Sequence, residues 1–266
     1  MTQPNQPQIE AWNGITGNHF VRHRERFEGM FRRLTPHLLR AADVRPDERV
    51  LDVGCGAGAT TRALAAAAPR GGALGLDVSE PLLAEARRIT AEQGPGNAGF
   101  ALGDAQTYAL PAGERDVVVS RFGVMFFADP AAAFGRLAAA LRPGGRLAVL
   151  CWRTLAENAH FAVPYGAVRG LAPEGAQAEE DPEDREDGSP GPFSLADPDR
   201  VRGILAGAGF RDVELRPLDE PVRMAADLDD ALDYLLDTPE AARLLAAAPD
   251  PTPLRAKATT LLRPAL

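Results

Sequence analysis

The sequence has few cysteines, no long apolar run and no excess of basic residues. Its 266 residues include two cysteines, Cys55 and Cys151, and neither has a partner at metal-ligand spacing. A disulfide framework and a cysteine-based zinc site are therefore not predicted. Apolar runs stay short of the roughly 18 residues that a membrane-spanning helix needs. Since the start, MTQPNQPQIE, also lacks the pattern of a secretory signal, we expect a cytoplasmic protein without membrane contact.

The net charge of -8 comes almost entirely from one segment. Residues 172–192 hold eight acidic side chains against Arg185, so they account for seven of the eight net negative charges. The remainder of the chain is close to neutral, and the arginines among residues 22–40 are interleaved with acids. No basic surface for nucleic acid is predicted. The acidic segment itself is expected to be a flexible surface loop.

Apolar stretches alternate with alanine- and leucine-rich segments, which predicts an α/β fold. The predicted strands cover residues 49–53, 73–77, 99–102, 116–120 and 146–152. Ser79 and Asp129 carry N-cap signals for two of the helices between them. Strands joined by helices of this length pair in parallel. We therefore expect a Rossmann-like, doubly wound, mostly parallel sheet with helices on both faces.

The turn after the first predicted strand, in VLDVGCGAGATT at 50–61, holds three closely spaced glycines. Such a turn lets a ligand approach the backbone and leaves helix amides free to bind polar groups. Gly54, Gly56 and Ala59 match the dinucleotide-binding fingerprint, with Asp77 as the ribose-binding acid. Asp52 and Gly58 are not explained by that fingerprint, and a nicotinamide oxidoreductase remains the weaker alternative.

Several motifs in order resemble the class I S-adenosylmethionine-dependent methyltransferases, especially small-molecule members of the quinone-biosynthesis type. They are VLDVGCGAGATT at 50–61, LGLDVSEPLL at 74–83, GDAQ at 103–106, SRFGVMFF at 120–127 and LRPGGRLAVL at 141–150. The resemblance covers about residues 45–155 and, more loosely, 195–222. It implies S-adenosylmethionine as cofactor and methyl transfer to a small-molecule acceptor by direct displacement. A non-catalytic module that binds the cofactor is a further alternative.

The resemblance also implies which residues bind the cofactor. Asp77 is expected to bind both ribose hydroxyls, and Asp104 the adenine amino group. Asp52 is expected to brace the glycine turn or to meet the amino group of the methionine moiety, and Cys55 to fill space within the turn. The full set of predicted cofactor-binding residues is Asp52, Gly54, Cys55, Gly56, Gly58, Asp77, Val78, Asp104, Ala105, Arg121 and Phe122.

A general base would help if the acceptor is a hydroxyl, and only four histidines are present. His160 follows the fifth predicted strand, where the family's substrate lid begins, and is the candidate catalytic residue. His19 and His23 are spaced i, i+4, as metal ligands can be, but the sequence shows no third ligand. No metal is therefore predicted.

The chain is divided into four predicted parts. Residues 1–45 form an N-terminal helical lid, 46–155 the cofactor-binding core, 156–196 an insertion with the acidic loop, and 197–266 the C-terminal part of the fold. Residues 212–222 are expected to form a sixth strand. The tail, PTPLRAKATTLLRPAL, shows no strand pattern, so the final antiparallel strand of the family is predicted to be missing. A second copy of the chain could then complete the sheet as a homodimer.

Overall fold

The computed structural model describes residues 5–171, 187–238, 241 and 252–262. Most of the predicted acidic loop, residues 172–186, lies outside this range. So does most of a helix that the sequence predicts over residues 239–247.

Helices form the first part of the chain: α1 (Gln6–Asn13), α2 (Ile15–Arg22), α3 (Arg24–Phe31) and α4 (Thr35–Ala42). Strands and helices then alternate: β1 (Arg49–Val53), α5 (Ala59–Ala67), β2 (Gly72–Asp77), α6 (Glu80–Gln93), β3 (Ala98–Leu102), β4 (Arg115–Arg121), α7 (Pro130–Ala140) and β5 (Leu141–Leu150). The remaining helices are α8 (Ala159–Leu171), α9 (Pro198–Gly207), α10 (Leu228–Leu236) and α11 (Thr252–Leu262). The side chains of Ser79 and Asp129 cap α6 and α7 as predicted.

The strands form one parallel sheet in the order β3-β2-β1-β4-β5. The chain runs outwards from β1 to β3 and then returns to the other side of β1 through β4. This reversal between β1 and β4 is the topological switch point at which open α/β sheets bind their ligands. The predicted α/β fold, with its doubly wound parallel sheet, is confirmed.

Alternate residues of the buried strands face two separate cores. On one face Val50, Val117 and Val119 pack with α4 and α5 through Leu38 and Leu64. On the other face the neighbouring strand residues, Leu51 and Val118, pack with α7 and α9. Because side chains point to opposite faces at every second residue, the central strands must be apolar throughout. That requirement explains the nearly continuous apolar runs in the sequence.

The predicted sixth strand is wrong. Residues 212–222 make no strand pairing, and among the described residues β5 pairs only with β4. Pro217 and Pro221 lack the amide donors that a ladder needs, and Glu214 and Arg216 pair with each other instead. The start of the fifth strand also differs from its prediction. β5 includes Pro143-Gly144-Gly145, which the sequence assigns to a turn, as an irregularity in its pairing with β4.

The helices α8, α10 and α11 form a third, smaller cluster beside the sheet. Its buried members include Ala167 of α8, Leu232 and Leu235 of α10, and Ala258 of α11. Within the described ranges, every helix is too short or too polar to traverse a lipid bilayer.

Candidate active site

The glycine turn after β1 requires glycine for two different reasons. Gly54, Gly56 and Gly58 have φ angles of 66°, 52° and 78°, in the left-handed region that disfavours other residues. A Cβ on Gly54 would also lie 2.5 Å from the Cα of Gly123, so the turns after β1 and β4 touch through their backbones. At Gly56 a Cβ would meet no atom within 4 Å, so this part of the turn is open to a ligand.

Asp77, the last residue of β2, accepts hydrogen bonds from the glycine turn and from the residue that caps α6. One carboxylate oxygen accepts a hydrogen bond from the amide of Gly56 at 2.7 Å, and the other accepts one from the amide of Ser79 at 2.9 Å. Burial raises the pKa of this carboxyl, and the two amides partly offset that rise. Each oxygen keeps a further lone pair, which suits a diol that offers two hydroxyl donors.

Asp52 lies inside β1, directly beneath the glycine turn. The hydroxyl of Thr61, on α5, donates to its Oδ2 at 2.6 Å, while its Oδ1 is buried without a hydrogen-bond partner. Desolvation raises the pKa of Asp52 to about 7, against which the Thr61 hydrogen bond acts. A buried, unpaired carboxylate oxygen is costly, and a cationic ligand group would relieve that cost.

Asp104 follows β3 and lies on the same edge of the sheet. Its carboxylate accepts hydrogen bonds from the backbone and side-chain amides of Gln106, at 2.9 and 3.0 Å. The loop is joined to β2, because the amide of Gly103 donates to the carbonyl of Asp77. Of the neighbouring predicted residues, Ala105 is buried in the core, and Val78 is half-buried.

Two of the predicted residues turn their side chains away from the open face of the glycine turn. The thiol of Cys55 lies against Gly75, where a Cβ would be only 2.7 Å from the sulfur. Burial raises its pKa well above the ordinary value, so the thiol stays protonated and packs as a small apolar group. The guanidinium of Arg121 binds Thr35 at 2.8 Å and Glu28 at 3.2 Å, and so joins β4 to the N-terminal helices.

These features fit S-adenosylmethionine. The open turn at Gly56 leaves room for the methionine moiety of that molecule, the unpaired Oδ1 of Asp52 suits its ammonium group, and the free lone pairs of Asp77 suit its ribose hydroxyls. They lie together at the switch point of the sheet, where β1 gives way to α5. Which of these residues touch the cofactor is treated as part of the proposal below.

Comparisons with known proteins agree with this site. A sequence family described as a methyltransferase domain matches residues 50–145. The chain is 35% identical over 207 residues to the nocamycin O-methyltransferase of Saccharothrix syringae, covering 76% of this chain and 72% of that enzyme. The chain belongs to the class I S-adenosylmethionine-dependent methyltransferases. This methyltransferase therefore uses S-adenosylmethionine as its methyl donor, and the oxidoreductase alternative is not supported.

Two further comparisons show how far the similarity extends. The aklanonic acid methyltransferase of a Streptomyces species is 37% identical over 102 residues, which cover 38% of this methyltransferase and 46% of that enzyme. The solved structure of phosphoethanolamine N-methyltransferase 2 from Haemonchus contortus, in complex with S-adenosyl-L-methionine, superposes with a TM-score of 0.56 at 20% identity. That superposition covers 99% of this chain and 56% of the other, and it supports the fold alone.

A series of aromatic side chains lines the carboxyl ends of β4 and β5 in the methyltransferase. Phe122, with an unusual φ of 69°, stacks on Trp152 with ring centroids 3.9 Å apart and an 8° angle between the planes. Phe31 from α3 lies 5.1 Å from Phe122, and His160 from α8 lies 4.5 Å from Trp152. We call these four side chains the aromatic wall. All four are half-buried.

His160 has an unusual environment in this wall. Its Nε2 is buried without a hydrogen-bond partner, and desolvation lowers its pKa to about 4. The ring is therefore neutral at pH 7 and offers one donor and one acceptor nitrogen. The other predicted histidines lie elsewhere: His37 pairs with Glu220 at 2.8 Å, and His19 and His23 lie beside Asp237.

The N-terminal helices are fastened to the loop that carries Asp77. The side-chain amide of Asn13 donates to the carbonyl of Val78 at 2.8 Å, and its oxygen accepts from the amide of Glu80 at 3.0 Å. The hydroxyl of Ser79 donates to the carbonyl of Trp12 at 2.6 Å. The end of α1 is thus bound directly beside the ribose-binding candidate.

Sequence reasoning missed several residues that shape the site. Ser120, at the end of β4, donates to the carbonyl of Val53 and accepts from the amide of Gly123, which fixes the contact between the two turns. Thr61 holds Asp52, and Asn13 anchors α1. The motifs VLDVGCGAGATT and SRFGVMFF contain Thr61 and Ser120, respectively, so these two could have been found from the resemblance. Asn13 has no comparable signal.

Proposed function

We propose that this methyltransferase transfers the methyl group to a hydroxyl oxygen of a partly apolar small molecule bound against the aromatic wall. The observation that carries the proposal is the unpaired Nε2 of His160, buried within a surface made otherwise of aromatic rings. Such a surface suits a flat, apolar acceptor, and a single polar atom within it suits one hydroxyl. The name of one relative, a nocamycin O-methyltransferase, agrees with oxygen as the methylated atom.

In this proposal three carboxylates bind the cofactor. Asp77 binds the ribose hydroxyls, Asp104 binds the adenine amino group, and Asp52 binds the ammonium group through its free oxygen. When bound, S-adenosylmethionine supplies an electrophilic methyl group that needs no further activation. The open glycine turn formed by Gly54, Gly56 and Gly58 makes room for the methionine moiety, while Val78, Ala105 and Phe122 cover the nucleoside and the sulfur.

The chain's remaining task is to align the acceptor and exclude water. The aromatic wall holds the acceptor plane, and His160 binds its hydroxyl. A group with a pKa of about 4 is a weak base, so His160 orients the hydroxyl and lowers its desolvation cost rather than removing its proton beforehand. The hydroxyl proton becomes strongly acidic as the oxygen–carbon bond forms, and it then passes to the imidazole and on to solvent. Residues 1–45 act as a lid over the site, and the described part of residues 156–196 closes the acceptor side.

Dimerisation through β5, which would be visible in solution as a doubled mass, is part of the proposal too.

The test is to measure S-adenosylhomocysteine formation with hydroxylated aromatic compounds, amines and carbon acids as acceptors. Transfer to the hydroxylated compounds alone is expected. His160→Ala should raise the KM for the acceptor at least tenfold and leave the affinity for S-adenosylmethionine unchanged. His160→Asn, which keeps a polar group, should recover part of the loss.

His37→Ala is the matched control, because His37 is bound to Glu220 on the outside of the N-terminal helices. It should leave both constants unchanged. Transfer to amines alone would contradict the proposed acceptor class. An unchanged acceptor KM in His160→Ala would show that this side chain does not contact the acceptor.

A further inference from the structure

Three potential metal ligands meet where α2 and α10 end. His19 and His23 belong to the last turn and the C-cap of α2, and Asp237 is the C-cap of α10. Their ligand atoms all lie within 4.8 Å of one another. The Nε2 of His23 lies 2.5 Å from Asp237 Oδ2, and the Nδ1 of His19 lies 3.9 Å from the same oxygen.

His19 is not explained by an ordinary ion pair. Its ring is buried, and its Nδ1 is buried without a hydrogen-bond partner although a carboxylate is close by. A buried imidazole with an unpaired nitrogen next to a second imidazole and a carboxylate is the donor set that zinc and its neighbours prefer.

The distances suit a small cation. Ligand atoms about 2.0–2.2 Å from a tetrahedral Zn²⁺ lie roughly 3.4 Å from each other. The His19–Asp237 separation of 3.9 Å must therefore shrink by about 0.5 Å, and the His23–Asp237 separation of 2.5 Å must widen by about 0.9 Å. Three protein ligands leave a fourth position for water. Tyr234 packs beside both rings, with its centroid 5.7 Å from that of His19 and 5.3 Å from that of His23, and it is not counted as a ligand.

We propose that His19, His23 and Asp237 bind one divalent transition-metal ion, of which Zn²⁺ is the test ion, and that this ion joins the N-terminal helices to α10. The site is separate from the aromatic wall and from the carboxylates assigned to the cofactor. Arg22 donates to both oxygens of Asp237 at 2.9 Å. Metal binding through Oδ2 leaves Oδ1 to Arg22, which then orients the carboxylate as supporting partners of metal ligands commonly do.

The ion would join two elements that are far apart in sequence. His23 and Asp237 are 214 residues apart, and α10 is held by its own apolar cluster beside the sheet. Without a metal, the contact between α2 and α10 at this point depends on Asp237 with Arg22 and His23. A bound ion adds His19 to that contact and so raises the stability of the folded chain by mass action.

The experiment uses the full chain without a histidine tag. Equilibrium dialysis against ZnCl₂ should give one tightly bound ion per chain, and Co²⁺ should give the visible absorption of a four-coordinate site with nitrogen and oxygen ligands. Asp237→Asn and His19→Ala should each weaken binding at least tenfold, since even the loss of a supporting partner costs about 10–100-fold. A fixed Zn²⁺ concentration that just saturates the parent chain should raise its unfolding temperature and raise that of Asp237→Asn by a smaller amount.

His37→Ala is again the matched control. His37 is paired with a carboxylate, Glu220, as His23 is, but no second imidazole adjoins that pair. The control should bind Zn²⁺ like the parent chain. Asp237 is partly exposed, so its amide variant tests the site even if the buried His19→Ala variant fails to fold. The proposal is overturned if the parent chain binds no stoichiometric ion, or if Asp237→Asn binds it with unchanged affinity.

Discussion

Replacing Asp52 by asparagine should stabilise the chain above neutral pH while weakening its affinity for S-adenosylmethionine. Asp52 is 1% exposed, and burial raises its pKa from 3.8 to about 7 in the folded chain. A carboxyl whose pKa is raised by folding disfavours the folded state when it is ionised. That cost is absent below pH 3.8, grows as the pH rises, and is fully present above about pH 7.

The size of the effect follows from the shift. The difference between 3.8 and about 7 corresponds to a cost on the order of 4 kcal/mol in the free energy of unfolding. Asparagine removes the charge and can still accept the Thr61 hydrogen bond, but its amide remains unpaired, which costs about 1–3 kcal/mol. The variant should therefore be about 1–3 kcal/mol more stable at pH 8 and no more stable than the parent chain at pH 5.

Urea unfolding of both chains, measured between pH 5 and pH 8 without cofactor, gives these differences directly. Asp116→Asn is a control with the opposite sign. Burial raises the pKa of Asp116, but hydrogen bonds from the Arg49 amide and from Arg142 outweigh it, and the net pKa is lowered. Its ionised form contributes stability above its unfolded pKa, so this variant should be less stable than the parent chain at pH 8.

Titration calorimetry provides the second readout. Losing the charge that faces the ammonium group should cost about 2 kcal/mol, or roughly 30-fold in affinity for S-adenosylmethionine. The reasoning is refuted if the stability difference between Asp52→Asn and the parent chain does not change with pH. It is also refuted if the variant binds the cofactor as tightly as the parent chain does.

Three further predictions follow from the same structure. Asp77→Ala should weaken S-adenosylmethionine binding about 100-fold by calorimetry, through the loss of two charge-assisted hydrogen bonds, whereas Glu80→Gln in the neighbouring helix should not. Gly56→Ala should cost about 1–2 kcal/mol in thermal unfolding because of its φ of 52°; Gly135→Ala, on an open face of α7, should instead stabilise the chain by about 0.5–1 kcal/mol. Arg146→Ala should cost about 3 kcal/mol because it leaves the buried carboxylate of Glu48 without its partner. The hydrogen bond from Arg146 lowers the pKa of Glu48 below 4.5, so the difference measured by urea unfolding should shrink as the pH falls below 4.5.

The sheet was predictable because its signals are local. Both ends of the first strand are predicted correctly, and those of the next three strands to within one residue. Apolar runs and helix caps such as Ser79 can be recognised from short stretches of sequence. Residues 212–222 carry a similar apolar alternation but do not pair, although among the described residues the outer edge of β5 has no strand partner. Pro217 and Pro221 lack the amide donors that pairing needs, and the alternation of apolar residues does not take this into account.

The candidate site was predictable only where a motif carries it. The glycine turn and Asp77 were found from residue type and spacing and Asp104 from the family resemblance, and the structure brings them to one edge of the sheet. The pairing of Arg121 with Glu28 and the approach of Asp237 to His23 join residues that lie 93 and 214 positions apart. Contacts at such separations depend on the packing of whole helices, which residue patterns do not encode locally.

The attachment of α1 beside Asp77 would affect how the used cofactor is exchanged for a new one between reactions. A nucleoside held by Asp77 would lie next to a clasp of three hydrogen bonds from Asn13 and Ser79. If the proposed roles of Asp77 and of the N-terminal helices hold, spent nucleoside would leave by breaking these three hydrogen bonds, at a net cost of about 1 kcal/mol for each bond. Such a cost would allow rapid exchange while the intact bonds keep the donor enclosed during methyl transfer.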